Sequence, residues 1–595
     1  MSGPVKTPSD RSTDLAMYAL LAVAAVAGLM WVAGLAAGTV TGAGVPTRGL
    51  EGVGELLATP GAPGSALGND VGTAAYWFAV VLLLAIVAAV AGIVWRRTRG
   101  RAPSSEDVHS LPGLATGAQV RSRLGARAVL AQTATLRPSL AGTKPHPSQV
   151  GYLVGRARGV DVYVPVEHSM VLVGPARQGK GVNVVLPMIC EAPGAVVSTS
   201  VRTENAIATW SVREATGGPM AVFDPAGVAA SGATPLPAGV RWSLDRGCED
   251  PNVAMMRARA LAANSGKGVE NADFWAAKAV QALAPLLHAA ALEGGGVDAL
   301  YRWSESPARA RDAHQVLDAH PRAARGWADA LGAIITGGDP RTTANMWAQV
   351  EQALLMPLML PTVRDALSPA PGQSLDLEDF IARRGTLYVI SDDAGSASGI
   401  IAALVEDVYT TAYRIANRSP GNRLDPPLLL ALDELANIAK LPSLGAMISA
   451  GGGAGITTLA VLQSLSQARD RWGAEAAGAI WGSATTKVVL GGLAEDRDLS
   501  AISALLGEHS RVREQVSESR SGGPSRSWSH EDKRVMTPGQ VRSMPKGTAL
   551  LISGSNPVAL LDLLPVWERP YRSQIGAGPA SSAPDVLTDW AHPTP

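Results

Sequence analysis

Gly174-Pro175-Ala176-Arg177-Gln178-Gly179-Lys180-Gly181 puts glycines and a lysine directly after the apolar run Met170–Val173. That order suits a loop that cradles phosphate. The glycines let backbone N–H groups turn inward, a helix opening at Lys180 adds positive dipole, and the lysine reaches the β/γ-phosphates of a nucleotide. Val182 continues the segment on the helical side. Gly181 stands where a Ser or Thr hydroxyl ordinarily helps to hold Mg²⁺. On this segment alone a Gly-rich turn is the alternative.

A second apolar run, Pro427–Leu432, ends in Asp433 and Glu434. Uninterrupted apolar residues fit a strand buried on both faces, and ligands sit at the carboxyl ends of such strands in open α/β sheets. Asp433 is then placed to bind Mg²⁺, directly or through water, and Glu434 to polarise an attacking water. A solvated strand end is the alternative for the pair alone. With the upstream loop in the same chain, the two segments point to ATP binding and hydrolysis.

The elements that must position these residues alternate. Strands are expected at Met170–Val173, Ala195–Thr199, Met220–Phe223, Thr386–Ser391, Leu428–Leu432, Thr457–Leu462, Thr486–Leu490 and Thr548–Ile552, with helical patterns between several of them. This favours a mainly parallel, doubly wound sheet over about 151–568. Residues 251–368 lack strand signals and read as an inserted helical domain. Its stripes are Phe274, Ala277, Leu283 and Leu287 in one helix and Met346, Val350, Leu354 and Leu355 in another. Trp275 and Trp347 are read as core in preference to a base-stacking platform. Ser517–Asp532, rich in Ser, Gly and Arg, is expected to be a mobile loop, with Arg520 and Arg526 as its candidate nucleic-acid contacts and a solvated linker as the favoured reading. Residues 96–150 are expected to be a linker with some local structure, and 569–595 a disordered tail.

The chain has 595 residues, a length that predicts about three or four domain-sized units. Lys plus Arg and Asp plus Glu balance at 51 each, so no global basic character advertises nucleic acid, although a local basic groove stays open. The two cysteines, Cys190 and Cys248, are expected to be free thiols, which leaves no disulfide framework or cysteine-rich zinc site. Leu15–Ala37 and Ala74–Trp95 are apolar and uncharged, each long enough to cross a hydrocarbon core of about 30 Å. Tyr18, Trp31, Tyr76, Trp77 and Trp95 are interface-type aromatics. Lys6, Arg11, Arg96, Arg97, Arg99 and Arg101 flank the spans, whereas the loop 38–73 carries Arg48 against Glu51, Glu55 and Asp70. Basic flanks stay inside, so both termini (from residues 1–14 onward) and the nucleotide site are expected in the cytoplasm.

These motifs resemble those of the type IV secretion coupling proteins, the TraG/TraD-like ATPases of bacterial conjugation. The resemblance rests on the loop with glycine after its lysine, followed by Val182-Asn183-Val184-Val185-Leu186-Pro187. It rests further on Leu432–Ile438, Leu441–Leu444, Gly455-Ile456, Gln463–Gln467 and Trp472-Gly473, and on Met536–Pro538 through Pro545–Gly547. It covers about 150–567. It implies a RecA-like P-loop ATPase domain with an inserted all-α domain, preceded by two transmembrane helices, in the bacterial inner membrane. It implies a homohexamer with ATP between subunits, and delivery of a relaxase bound to single-stranded DNA, or of a protein substrate, to the type IV secretion channel. Carried over residue by residue, Lys180 binds phosphate, Asp433 serves Mg²⁺, Glu434 activates water and Gln463 senses the γ-phosphate; a local strand-end hydrogen bond is the alternative for Gln463.

Two departures stand out. Gly452 occupies a position where many relatives carry an arginine, which leaves the trans-acting arginine unassigned. Ser198–Glu204 lacks the Asp-x-Lys-Gly-Glu pattern of many relatives. A nucleotide-regulated docking receptor with little turnover is therefore a second reading. A double-stranded DNA pump of the FtsK/TraB kind is a third, disfavoured by a short, Pro-rich tail that leaves no room for a DNA-reading module.

Overall fold

The computed structural model describes residues 8–578, apart from 100–110, 230–235, 238, 266–271, 338, 393–394 and 520–521. The tail expected to be disordered lies mostly outside the described residues. The chain divides into two units, 1–106 and 107–595. The three or four units expected from length reduce to two because the helical segment between 251 and 368 shares one continuous core with the sheet. Leu283, Leu287, Trp303 and Leu354 belong to the same buried cluster as Val171, Leu430 and Leu432.

In the first unit the helices Pro8–Thr41 and Thr73–Arg99 cover both apolar segments of the sequence. Met30, Ala33 and Ala37 pack with Tyr76 and Val80. The short helices Leu50–Ala58 and Pro63–Leu67 bury Leu56 and Leu67 in the same core. Trp31 Nε1 donates to the Arg48 carbonyl, and Trp77 Nε1 to that of Pro60. Among the described residues no helix is long and apolar enough to cross a membrane. Within the two spans expected from the sequence, the side chains of 15–23, 25 and 90–95 lie outside the described residues.

The second unit is built on an eleven-stranded sheet and a separate two-stranded sheet. Its strands are β1 Gly151–Ala157, β2 Val160–Pro165, β3 Met170–Val173, β4 Val196–Ser200, β5 Met220–Phe223, β6 Thr386–Ile390, β7 Leu428–Leu432, β8 Ile456–Leu462, β9 Thr486–Leu490, β10 Glu508–Ser519, β11 Gly522–Arg534, β12 Thr548–Ser553 and β13 Ala559–Asp562. The sheet order is β2-β1-β13-β12-β9-β3-β8-β7-β4-β6-β5. From β9 to β5 all neighbours are parallel, and from β12 to β2 all are antiparallel. β3, β7 and β8 are buried along their whole length, as two-sided coverage by helices demands.

Three features depart from the sequence expectations. Residues 111–150 show no sustained period, yet Val120, Leu124, Val129 and Leu136 are buried against β1 and β2. Short helices such as Gly117–Arg123, opened by a Thr116/Gln119 capping box, escape a test for periodicity because they last under two turns. Apart from 520–521, which lie outside the described residues together with the candidate contact Arg520, residues 517–532 belong to the antiparallel pair β10–β11, which runs from Glu508↔Arg534 to Ser519↔Gly522 with a register shift between Ser517 and Ser519, where a loop was expected. A polar ribbon has no apolar alternation to announce it. In the helix Ala272–Glu293, Phe274 is 56 % exposed and Ala277 is exposed too, so the buried stripe is carried by Ala279, Leu283, Leu286 and Leu287. Trp347 is buried, with Nε1 donating to the Ser304 carbonyl, and Trp275 is half-buried.

Pro187 and Pro357 both lie inside helical segments, where each removes an amide donor and crowds the carbonyl four residues back. Each follows a π-helical turn, Gly181–Val185 and Glu351–Leu355 respectively. The wider turn shifts the carbonyls that the proline ring would otherwise meet. Thus the proline seven positions after Lys180 is accommodated by the backbone that begins at the phosphate loop. Both cysteines are buried and free.

Candidate nucleotide site

The loop 174–181 follows β3, Asp433 and Glu434 follow β7, and Gln463 follows β8. Because β8 lies between β3 and β7 in a parallel array, all three segments emerge at one edge of the sheet. The topology thus gathers Lys180, Asp433, Glu434 and Gln463 at neighbouring carboxyl ends.

The loop needs its glycines for two different reasons. Gly179 has φ +83°, and a Cβ there would lie 2.4 Å from Asn183 Nδ2. Gly174 lies against Leu490 of β9, with a Cβ contact of 2.9 Å. Arg177 takes φ +61°, a left-handed conformation uncommon outside glycine. Gly181 is different, because nothing lies within 4 Å of a Cβ at that position. Packing does not demand the missing hydroxyl-bearing side chain.

Lys180 Nζ donates to the carbonyls of Gly174 at 2.6 Å and Pro175 at 2.9 Å. The ammonium is folded back over its own loop, a position from which it can serve phosphate oxygens. Burial lowers its pKa, and the Asp433 and Glu434 charges act in the opposite direction.

Burial raises the Asp433 carboxyl from its ordinary 3.8; a hydrogen bond with Asn205, the Glu434 N–H and the charge of Lys180 oppose the rise. The Glu434 N–H donates to Asp433 Oδ1 at 3.0 Å, and Thr199 Oγ1 donates to the Asp433 carbonyl at 3.1 Å. Glu434 has φ +49°, a strained value for a residue with a side chain. Nothing in the sequence marks Asn205 or Thr199 as part of the site. Both come from β4 and the helix after it, Glu204–Glu214, and only the adjacency of β4 to β7 reveals them.

Among the described residues no group of three or more His, Cys, Asp and Glu could hold a metal ion. A Mg²⁺ here would be held by Asp433 together with nucleotide phosphates, the usual arrangement for this ion. The buried carboxyl flanked by hydrogen-bond donors fits that demand. Asp433 must be ionised to serve the metal. Since its folded pKa is raised, Mg²⁺ affinity is expected to fall as pH drops from that raised value toward 3.8. Across the same window the folded state holds the extra proton, so the nucleotide-free protein gains stability from this group on acidification. Titrating the Mg²⁺-dependent part of ATP's thermal stabilisation at stepwise lower pH checks this, and Asp433→Asn is expected to remove that part altogether.

The third motif supports the loop from behind. Thr537 caps the helix Pro538–Arg542 with Gln540 in a capping box, and Met536 is fully buried. The Gly492 N–H donates to the Arg542 carbonyl, and Gly492 in turn abuts Gln178 and Pro175. Gly547, at φ +85°, turns the chain into β12.

Gly452 opens the short turn Gly452–Ala454, where a Cβ would lie 1.9 Å from the Glu167 carbonyl. No arginine fits there without moving backbone. Arg423, itself buried, reaches the same place and donates to the Thr135 carbonyl. Gly452→Ala is expected to destabilise the protein by about 1–3 kcal/mol, the usual range for overpacking. Gly453→Ala, with open space around its Cβ, is the near-neutral control in a denaturant titration.

A strand-ending phosphate loop, an acidic pair on a nearby strand and a polar residue between them define a P-loop nucleotide-binding protein with a large mixed sheet. A family model described as "Type IV secretory system Conjugative DNA transfer" matches residues 119–309, and one described as "TraM recognition site of TraD and TraG" matches 427–546. Together they span more than half of the chain, which belongs to the type IV coupling proteins of conjugative DNA transfer. Among solved structures, the unbound monoclinic form of the bacterial conjugative coupling protein TrwBdeltaN70 is 20 % identical, with a TM-score of 0.52 over 69 % of this chain and 88 % of that one. Plasmid coupling protein TrwB in complex with the GTP analogue GDPNP is 21 % identical, with a TM-score of 0.52 over 72 % and 92 %. TrwB in complex with ADP and Mg²⁺ is 20 % identical, with a TM-score of 0.50 over 72 % and 91 %. At these identities the likeness establishes a shared fold. No curated protein matches the sequence.

Proposed function

We propose that this chain is an ATP-hydrolysing coupling protein that is anchored in the bacterial inner membrane and delivers a relaxase–single-stranded DNA substrate to a type IV secretion channel. The observation that carries the hydrolytic part is the convergence of Lys180, Asp433, Glu434 and Gln463 on neighbouring strand ends. TrwB, of the same fold, is known in complexes with nucleotides, including ADP and Mg²⁺. That agrees with ATP and Mg²⁺ as the ligands here.

In this reading the loop 174–182 wraps the phosphates with backbone N–H groups, and Lys180 exchanges its two carbonyl partners for phosphate oxygens. Asp433 would hold Mg²⁺, which would supply charge neutralisation at the transferring phosphoryl group. Glu434 accepts hydrogen bonds from the attacking water and orients it. Gln463 contacts the γ-phosphate from the end of β8. ATP would sit between subunits of a homohexamer, and a neighbour's arginine other than one at position 452 would complete the charge.

Membrane anchoring rests on the two apolar segments and on Phe78, Val81, Leu82, Leu84, Ile86 and Val87, exposed apolar residues along the helix Thr73–Arg99. Exposed apolar side chains on this scale are costly in water and at home in lipid. Both termini are then cytoplasmic, by the basic flanks. A DNA partner is supported by the conjugative-transfer and TraM-recognition models. The docking-receptor reading is kept by Gly181 and Gly452.

The test is conjugative transfer from donor cells with the wild-type chain or Lys180→Ala. Transfer that depends on Lys180, with membrane insertion and relaxase docking intact, is the expected result. Full transfer with Lys180→Ala would overturn the motor reading.

A further inference from the structure

The helix Leu465–Trp472 begins two residues after Gln463 and is capped by Ser464, whose Oγ accepts the Gln467 N–H at 3.1 Å. Gln467 uses both ends of its amide. Oε1 accepts the backbone N–H of Gln463 at 3.2 Å, and Nε2 donates to Asn437 Oδ1 at 2.7 Å. The orientation is set by chemistry, because a backbone N–H can only donate; oxygen must face Gln463, and nitrogen then faces Asn437. Asn437 lies in the turn that Glu434 opens, and its N–H donates to the Glu434 carbonyl at 2.8 Å. A continuous chain of hydrogen bonds therefore runs from the end of β8 to the strained Glu434 backbone.

Four residues on, Arg471 shares a helix face with Gln467. Its Nη2 donates to Asn264 Oδ1 at 2.8 Å, and the same oxygen accepts the Lys440 N–H at 2.8 Å. Asn264 also returns Nδ2–H to the Lys440 carbonyl at 3.0 Å. The opposite side is fixed by Arg469, which pairs with Glu495 and Asp498. The helix is thus held on both sides, and Gln467 is the one of these residues that joins the two strand-end segments of the site.

We infer that Gln467 is a positioning residue for hydrolysis: it sets the backbone of Gln463 and the Glu434 turn relative to each other, so that γ-phosphate contact and water activation stay in register. The inference rests on the hydrolytic reading above. Contact with nucleotide is not required of Gln467. It acts through Gln463 and Asn437, so its loss should appear in turnover more than in binding.

The experiment compares steady-state ATP hydrolysis by the full chain, wild type, Gln467→Leu and Gln467→Glu, with melting temperatures and Glu434→Gln alongside. Leucine has a similar bulk and no hydrogen bonds. Glutamate keeps the acceptor for Gln463, and Asn437 can turn its amide to donate. Gln467→Leu is expected to lower kcat about 10- to 100-fold with KM changed less than about threefold, the scale set by small misplacements of reacting groups. Gln467→Glu is expected to recover most of the loss. Equal kcat in wild type and Gln467→Leu overturns this inference alone, as does a loss that follows only a fall in melting temperature or that glutamate fails to rescue. A wild-type chain without turnover overturns the hydrolytic reading and this inference with it.

Discussion

Glu434→Gln is expected to lower ATP turnover by about 10²–10⁴-fold, the range that general-base catalysis contributes, while ATP binding survives. Glutamine preserves the shape and the left-handed backbone at φ +49° but cannot take up or share a proton. The N–H held by Asp433 Oδ1 is untouched, so the turn keeps its geometry. Removing the negative charge also relieves repulsion of phosphate, which favours retention of nucleotide. Steady-state kcat and a nucleotide-binding isotherm separate the two effects. A kcat within about threefold of wild type would remove Glu434 from its role in water activation.

Lys180→Ala is expected to abolish the stabilisation that ATP and Mg²⁺ give the native state. At a ligand concentration 100 times Kd, that stabilisation is about 2.7 kcal/mol by mass action. In the free protein the ammonium caps the carbonyls of Gly174 and Pro175, so its loss also leaves those acceptors to water and loosens the loop. The variant should fold with a slightly lower melting temperature, show no further rise with millimolar ATP, and fail in conjugative transfer. A full ATP-dependent shift would mean that backbone N–H groups alone hold the phosphates.

The strands that carry the site were legible because each is a short apolar run with a sharp polar end. Met170–Val173, Leu428–Leu432 and Thr486–Leu490 have the bounds expected from the sequence. The antiparallel half was only partly legible. β1 and β2 mix Gly, Arg and Asp with apolar residues, and the pairing of β1 with β13 joins segments some 400 residues apart, which no local pattern encodes. The acidic pair and the lysine could be marked from residue type and strand context. Their supports could not, since Asn205, Thr199 and Gln467 are ordinary polar residues until strand order brings them to Asp433 and Gln463. Gly452 shows the reverse: an arginine absent from the sequence is explained only by the Glu167 carbonyl that leaves no room for one.

The most direct test is steady-state ATPase activity of the full-length chain in a lipid or detergent environment, across a protein titration, with and without single-stranded DNA. Turnover that rises with protein concentration, rises again with DNA, and vanishes in Glu434→Gln is the predicted result. Tight ATP binding with no turnover at any concentration, with or without DNA, would contradict a motor and leave a nucleotide-regulated docking receptor.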